Sequence, residues 1–317
     1  MKIVFLDGYT INPGDLTWET LETLGELVVY DRTEPADIVS RAAGAEVVIV
    51  NKTSLGAAHF DALPQLRLVC VAATGFDRID TDAARERNIT VCNCAGYSSQ
   101  SVAQMVISLL LEAIDSVGHY TEENRKGAWV NSPDFCYTSW PRMELAGKRA
   151  AIVGFGNIGQ AVARILSAFG MEIWAVTSKA PSALPPHVKK ATLEEAFGEC
   201  HVVSLNCPLT AANRGFVNEA LLGKVRPGLI LINTARGALV QEEAVAEALR
   251  EGRLGAYCTD VLAVEPPQAD CPLFTAPRCF ITPHIGWDTP EARLRILHIL
   301  ENNIRAFVAG KPVSVVN

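Results

Sequence analysis

The chain has 317 residues, more than one ordinary core accommodates, so two domains are the first expectation. Hydrophobic residues make up 49% and charged residues 20%, the profile of a folded globular chain rather than a disordered one. The formal net charge of -7 and pI near 5.5 argue against nucleic acid or an anionic membrane as partner.

The nine cysteines form no CxxC pair and no zinc spacing. They read as reduced, mostly buried thiols of a cytoplasmic protein, with no metal site. The opening MKIVFLDG reads as a strand and not a signal peptide, and no apolar run reaches membrane-spanning length.

In chain order, Lys2 to Leu6 is a short strand ended by Asp7-Gly8. A helical segment over about Asp15 to Leu24 follows, then a strand over Leu27 to Tyr30 and a helix over Asp37 to Ala43. Val47 to Val50, Leu68 to Ala72 and Ile89 to Val91 are further strands. Strands alternating with short helices indicate a parallel α/β sheet, and this unit ends before any glycine fingerprint.

Ser98 to Val117 has helical spacing, with Ser98 or Ser99 as cap and Gly118 as its end. Residues 119 to 147 lack a clean period and read as an extended arm. Ala150 to Gly170, AAIVGFGNIGQAVARILSAFG, is the stretch on which the rest depends. An apolar run meets Gly154-Phe155-Gly156-Asn157-Ile158-Gly159, and Ile158, Val162, Ile165, Leu166 and Phe169 then recur on one helical stripe. Strand, glycine turn and helix together make GxGxxG a dinucleotide-binding hypothesis, with the helix N-terminus facing a pyrophosphate.

Glu172 to Val176, Val202 to Leu205, Leu229 to Ile232, Ala256 to Thr259 and Phe280 to Thr282 are further strands, giving six from 150 to 282. Glu242 to Arg250 is a helix with Gly252 just past its end, and a last helix runs from Thr289-Pro290-Glu291 to Gly310. The tail Lys311 to Asn317 is expected to return to the first domain. That gives a substrate domain of 1–98 plus 287–317 and an inserted nucleotide domain of 99–286, with the helices near 98–118 and 289–309 as hinge.

Three polar residues follow consecutive strands, where ligand groups gather in open α/β sheets. Arg236, in NTARGALV, offers a guanidinium fork to a carboxylate. Glu265, in DVLAVEPP, can fix an imidazole tautomer and favour the protonated ring. His284, in ITPHIGW, can give a proton in reduction and take one in oxidation.

On GFGNIG, CPLT, NTARG, DVLAVEPP and PHIG the chain resembles the D-2-hydroxyacid dehydrogenases over nearly its whole length. PDFCYTSWPRMELAGK and HIGW make it look most like the glycerate dehydrogenase (hydroxypyruvate reductase) branch. The resemblance implies a Rossmann domain inserted into a flavodoxin-like substrate domain, both doubly wound parallel sheets. It implies that Arg236 binds substrate carboxylate and carbonyl, that His284 is the acid/base and that Glu265 tunes it. Asp260, Gly286, Thr234, Ala235, Cys207 and Pro208 would line the cofactor, Thr74 and Gly75 would face substrate and cofactor, and Lys52 would lie near substrate. It also implies a homodimer through the nucleotide domains, with the arm crossing to the partner.

The fingerprint ordinarily continues to an acid at the end of the second strand, which binds the NAD ribose. Here Glu172 to Val176 runs into Thr177-Ser178-Lys179. Either these hold the 2′-phosphate of NADP, or Thr177 bonds the NAD ribose and Lys179 is solvated. The function expected is hydride transfer between NAD(P)H and a short 2-keto acid, hydroxypyruvate or glyoxylate. The alternative is an NAD(H)-sensing, corepressor-like interaction protein on the same fold.

Overall fold

Runs of β-branched residues near the start of the chain form strands, and two of the three inner ones are buried at every position, as a parallel sheet covered on both faces demands. In the computed structural model, which describes residues 1–317, the strands of this first sheet are β1 (Lys2–Phe5), β2 (Glu26–Val29), β3 (Val47–Val50), β4 (Leu68–Val71) and β5 (Thr90–Asn93). Helices α1 (Glu19–Glu22), α2 (Ile38–Ala42), α3 (Ala57–Ala62) and α4 (Thr81–Glu86) connect them. The order β2-β1-β3-β4-β5, parallel throughout, is the flavodoxin-like winding, and its order reverses between β1 and β3.

The chain continues through α5 (Ser99–Asp115), α6 (Val117–Arg125), β6 (Arg149–Val153), α7 (Asn157–Ala168), β7 (Glu172–Val176) and β8 (Val188–Lys190). Then come α8 (Leu193–Glu199), β9 (Val202–Leu205), α9 (Glu219–Leu222), β10 (Leu229–Asn233), α10 (Glu242–Arg250), β11 (Leu254–Thr259), β12 (Cys279–Ile281) and α11 (Pro290–Val308). The second sheet runs β12-β11-β10-β9-β6-β7-β8, also parallel. Counted from β6 this is the dinucleotide-binding order 3-2-1-4-5-6 with a seventh strand at one edge.

The chain divides into two units, Met1–Ser98 with Trp287–Asn317, and Ser99–Gly286. In the first, α11 buries Ala292, Ile296, Leu297, Leu300 and Ile304 in one apolar cluster with Ile3, Phe5, Ile49 and Cys70. A fully buried aliphatic side chain of this kind contributes about 1.5–3 kcal/mol. Thr289 caps α11 by accepting from Ala292 N at 3.2 Å, and proline occupies its first turn. The tail pairs with β5: Asn93 N donates to Ser314 O and Val316 N to Val91 O. In the second unit, apolar clusters cover both faces of the sheet, one around Leu110, Val162 and Ile232, the other around Trp174, Phe197 and Leu231.

Four sequence expectations are corrected. Only Glu19–Glu22 of the segment 15–24 is helical. Asn12 Oδ1 accepts from Gly14 N and Leu16 N, and Arg293 grips Asp15 at 2.7 and 2.6 Å, which holds 12–16 in a turn. The long helix does not run on to Gly118. It ends at Asp115, because Ser116 adopts the left-handed conformation, φ 51° and ψ 43°. The segment from 119 is not wholly an extended arm either. Helix α6 begins at Val117, with Glu112 accepting from Gly118 N at its start, and only the stretch between Arg125 and β6 is irregular. The second sheet has seven strands rather than six, the extra one being β8, whose three residues carry a single apolar side chain. No single helix is long and apolar enough to cross a membrane.

Candidate active site

The glycine turn sits at the C-terminal end of β6, where the strand order of the second sheet reverses. Gly154 has φ +92°, and a Cβ there would lie 2.5 Å from Cys207 N and 2.6 Å from the Asn206 carbonyl carbon. The turn therefore needs glycine both for its conformation and for the chain passing beside it. A Cβ on Gly159 would come within 2.2 Å of Gly154 O, so this residue sets how closely α7 packs on β6. Gly156 differs: it is exposed, and a Cβ would meet nothing within 4 Å. Open space above the first N–H groups of α7 is what a pyrophosphate requires, and Phe155, Asn157 and Ile158 complete the turn.

Two buried polar atoms at neighbouring strand ends, Thr234 Oγ1 after β10 and Asn206 Oδ1 after β9, have no hydrogen-bond partner in the protein. Orphaned buried groups carry a desolvation cost, and a polar ligand at this edge removes it. These residues fit a dinucleotide. Cys207 and Pro208 follow Asn206, and Asn213 Nδ2 donates to Pro208 O at 2.8 Å, which fixes that loop. Burial pushes the Cys207 thiol above its ordinary range, so it suits a wall and not a nucleophile.

After β7, Thr177 Oγ1 accepts from Lys179 N at 3.2 Å, and Lys179 Nζ stands 5.9 Å from the centre of the Phe155 ring. Thr177, Ser178 and Lys179 thus flank the glycine turn. Lys190 on β8 donates Nζ to Lys179 O at 2.7 Å and brings a second ammonium to this loop. Sequence reasoning missed Lys190 because it missed β8.

The ends of β10, β11 and β12, adjacent in the sheet, lead to Arg236, Glu265 and His284. His284 Nδ1 lies 2.7 Å from Glu265 Oε2, and Glu265 Oε1 accepts from Leu262 N at 3.0 Å. With Nδ1–H directed at the carboxylate, Nε2 is the nitrogen left for proton transfer. The two side chains are 27% and 34% exposed, open enough to be reached and dry enough for the pair to hold.

His284 itself has φ +57°, which is unfavourable for a residue with a Cβ. The Asp260 carboxylate, 3% exposed, holds the surrounding loop: it accepts from Thr282 Oγ1 at 2.6 Å, Ile285 N at 2.9 Å and Gly286 N at 2.7 Å. A Cβ on Gly286 would fall 2.9 Å from Asp260 Oδ2, so that bond needs glycine.

Arg236 depends on Asn233, a fully buried residue not singled out from sequence. Asn233 Nδ2 donates to Arg236 O at 2.9 Å and its Oδ1 accepts from Ala235 N at 3.1 Å, folding Thr234-Ala235-Arg236 into a turn. Glu242 is a second such residue, since its Oε1 accepts from Ala263 N at 2.8 Å in the loop that carries Glu265. The signal for both was chemical, a polar side chain at the edge of an apolar run.

In the first unit, Lys52 follows β3 and is exposed, while Thr74 and Gly75 follow the neighbouring β4. Thr74 is fixed through its backbone and side chain, donating Oγ1 to Cys94 O at 3.2 Å and accepting from Asn93 Nδ2 at 2.7 Å.

Residues 107–286 match the D-isomer specific 2-hydroxyacid dehydrogenase NAD binding domain. The whole chain is 41% identical to the hydroxypyruvate reductase of Blautia hydrogenotrophica, with 100% of both chains covered. It is 36% identical to the glycerate dehydrogenase of Methylorubrum extorquens over 99% of this chain and 98% of that one. Among solved structures, an acyclic imino acid reductase in complex with NADPH and D-Arg superposes with a TM-score of 0.88 at 26% identity over the full length of both chains.

Proposed function

The chain belongs to the D-isomer specific 2-hydroxyacid dehydrogenase family, and from that premise we propose that it reduces hydroxypyruvate to D-glycerate, with glyoxylate as a second substrate. The observation that carries this reading is the 2.7 Å His284–Glu265 pair at a strand end next to that of Arg236. NAD(P)H supplies a hydride for the carbonyl carbon when it is bound. His284 Nε2 gives the proton that the carbonyl oxygen takes up, and Glu265 stabilises the ring as it loses and regains its charge. Arg236 binds the substrate carboxylate and the carbonyl oxygen through its guanidinium fork. Overall, keto acid, NAD(P)H and one proton become hydroxy acid and NAD(P)+.

In this proposal Ser99–Gly286 is the nucleotide domain, and Met1–Ser98 with Trp287–Asn317 is the substrate domain, contributing Lys52, Thr74 and Gly75. Gly154 to Gly159, Cys207, Pro208, Thr234 and Ala235 line the cofactor. Gly286 and Asp260 border it while holding the histidine loop. Thr177, Ser178, Lys179 and Lys190 favour NADPH, since they offer hydroxyls and two ammonium groups and no carboxylate. The protein works as a cytoplasmic homodimer. Free thiols such as Cys70, Cys92 and Cys94 accord with a reducing compartment, and exposed Trp129, Val130 and Phe135 accord with a covered arm.

Initial rates with NADPH and with NADH against hydroxypyruvate, glyoxylate, pyruvate and phosphohydroxypyruvate test the reading. Fastest turnover on hydroxypyruvate, lost in His284→Ala, is the expected result. No turnover on any of the four while NADH still binds would overturn it in favour of another 2-keto acid or of the sensing protein.

A further inference from the structure

Asp7 follows β1 and Asn51-Lys52-Thr53 follows β3, so the two segments meet where the strand order of the first sheet reverses. In open α/β sheets that crevice is where a ligand sits. Here the chain fills it with its own carboxylate. Asp7 Oδ1 accepts from Asn51 N at 2.7 Å, and Oδ2 accepts from Lys52 N at 2.6 Å, Thr53 N at 2.7 Å and Thr53 Oγ1 at 2.9 Å. Three successive backbone N–H groups converging on one point make an anion-binding nest, and hydrogen bonds to a charged acceptor are the strong ones.

The turn is tied on its other side as well. Asn51, 6% exposed, donates Nδ2 to Ala72 O at 2.8 Å, at the end of β4 and two residues ahead of Thr74. The backbone that carries Lys52 is therefore held at each residue from 51 to 53, while Lys52 itself is exposed. Such an arrangement fixes the point from which the Lys52 side chain leaves the backbone.

We propose that Asp7 is a positioning residue for substrate binding: its carboxylate fills the nest at the reversal point and thereby sets where Lys52 presents its charge to the substrate carboxylate. The inference rests on the reading of Lys52 as a substrate contact, and it adds a residue that touches neither substrate nor cofactor.

The test compares Asp7→Asn, Lys52→Ala and the double variant of the full-length enzyme, with hydroxypyruvate as the probe. Asp7→Asn keeps the size of the side chain, removes the charge and turns an NH2 towards at least one backbone N–H of the nest. Each single variant is expected to raise KM about tenfold with kcat and the NADH dissociation constant within about twofold of the parent, because misplacing a binding group weakens substrate alignment and not the cofactor. The double variant is expected to be no worse than Lys52→Ala alone. An equal further rise in KM in the Lys52→Ala background would show that Asp7 acts on the fold at large and overturn the proposal. So would an unchanged KM in Asp7→Asn beside a raised one in Lys52→Ala. If Lys52→Ala leaves KM untouched, the assignment of Lys52 fails at that variant and takes the proposal with it. Thr53→Val, which removes one of the four bonds and keeps the carboxylate, gives the same comparison in milder form should Asp7→Asn not fold.

Discussion

In the proposed reaction, acid–base chemistry comes down to one imidazole, His284, held in an unfavourable backbone conformation by its neighbours. Removing the ring in His284→Ala is expected to lower kcat by about 10²–10⁴, the usual contribution of a positioned acid–base group. NADH binding, followed by fluorescence, should be unchanged. Asp260→Asn is the more discriminating variant. An amide cannot accept from Thr282 Oγ1, Ile285 N and Gly286 N together, because its NH2 would face a donor. The expected outcome is a fall in kcat on the order of 10²-fold from a displaced His284, with a smaller loss of NADH affinity. A large loss of NADH affinity would instead mark Asp260 as a cofactor contact above all. Thr177→Asp puts a carboxylate where the proposal places a 2′-phosphate, and the kcat/KM ratio for NADPH over NADH should fall about tenfold or more. An unchanged ratio would remove Thr177 from coenzyme selection.

The glycine turn shows how one motif divides its work among elements. Gly159→Ala forces a Cβ against Gly154 O and should lower Tm by the equivalent of about 1–3 kcal/mol. A Cβ at Gly156 meets no protein atom within 4 Å, so in Gly156→Ala Tm should hold while NADH affinity drops. If the two variants behave alike, the division is wrong. This much could be read from the sequence, because strand, turn and helix each leave a periodic trace over many residues. The long strands and the Arg236, Glu265 and His284 positions were legible for the same reason: each polar residue stands just past an apolar run. Asn12 was not, since its side chain competes with the helix by bonding the backbone of Gly14 and Leu16, which leaves no periodicity. Nor was Ser116, whose left-handed backbone splits α5 from α6 in a sequence that continues to look helical. Asn233 acts locally, on Ala235 and Arg236, and was hidden as the polar end of an apolar run, whereas Asp7 and Glu242 were passed over because their roles depend on what folding brings beside them. Arg293 belongs with these. Hydrogen bonding to Arg293 first, and its charge second, hold the Asp15 carboxyl below its ordinary value. A depressed carboxylate stabilises the fold above its unfolded value near 3.8 and loses that contribution as pH falls through the folded value. Arg293→Met should therefore lower Tm at neutral pH and narrow the gap from the parent below about pH 4, as followed by circular dichroism melts.

At the scale of the molecule, the segment after α6 leaves Trp129, Val130 and Phe135 at 56%, 88% and 89% exposure. Apolar groups this open, close in sequence, are what a self-association surface presents. Phe135→Ser with Val130→Ser should shift the sedimentation coefficient from dimer towards monomer, and a parent already monomeric would refute the dimer. The interrupted first unit also has a consequence for how the protein is made. Its strands leave the ribosome well before α11, which covers their apolar face with Ala292, Ile296 and Leu300. At translation speeds of about 5–20 residues per second the sheet waits on the order of ten to forty seconds half-clothed. A nascent chain stalled at Gly286 should thus be cut readily within Met1–Ser98, while one released past Val316 resists. Until residues 287–317 arrive to clasp it, the sheet of residues 1–98 is expected to need the shelter that chaperones give to exposed apolar surface.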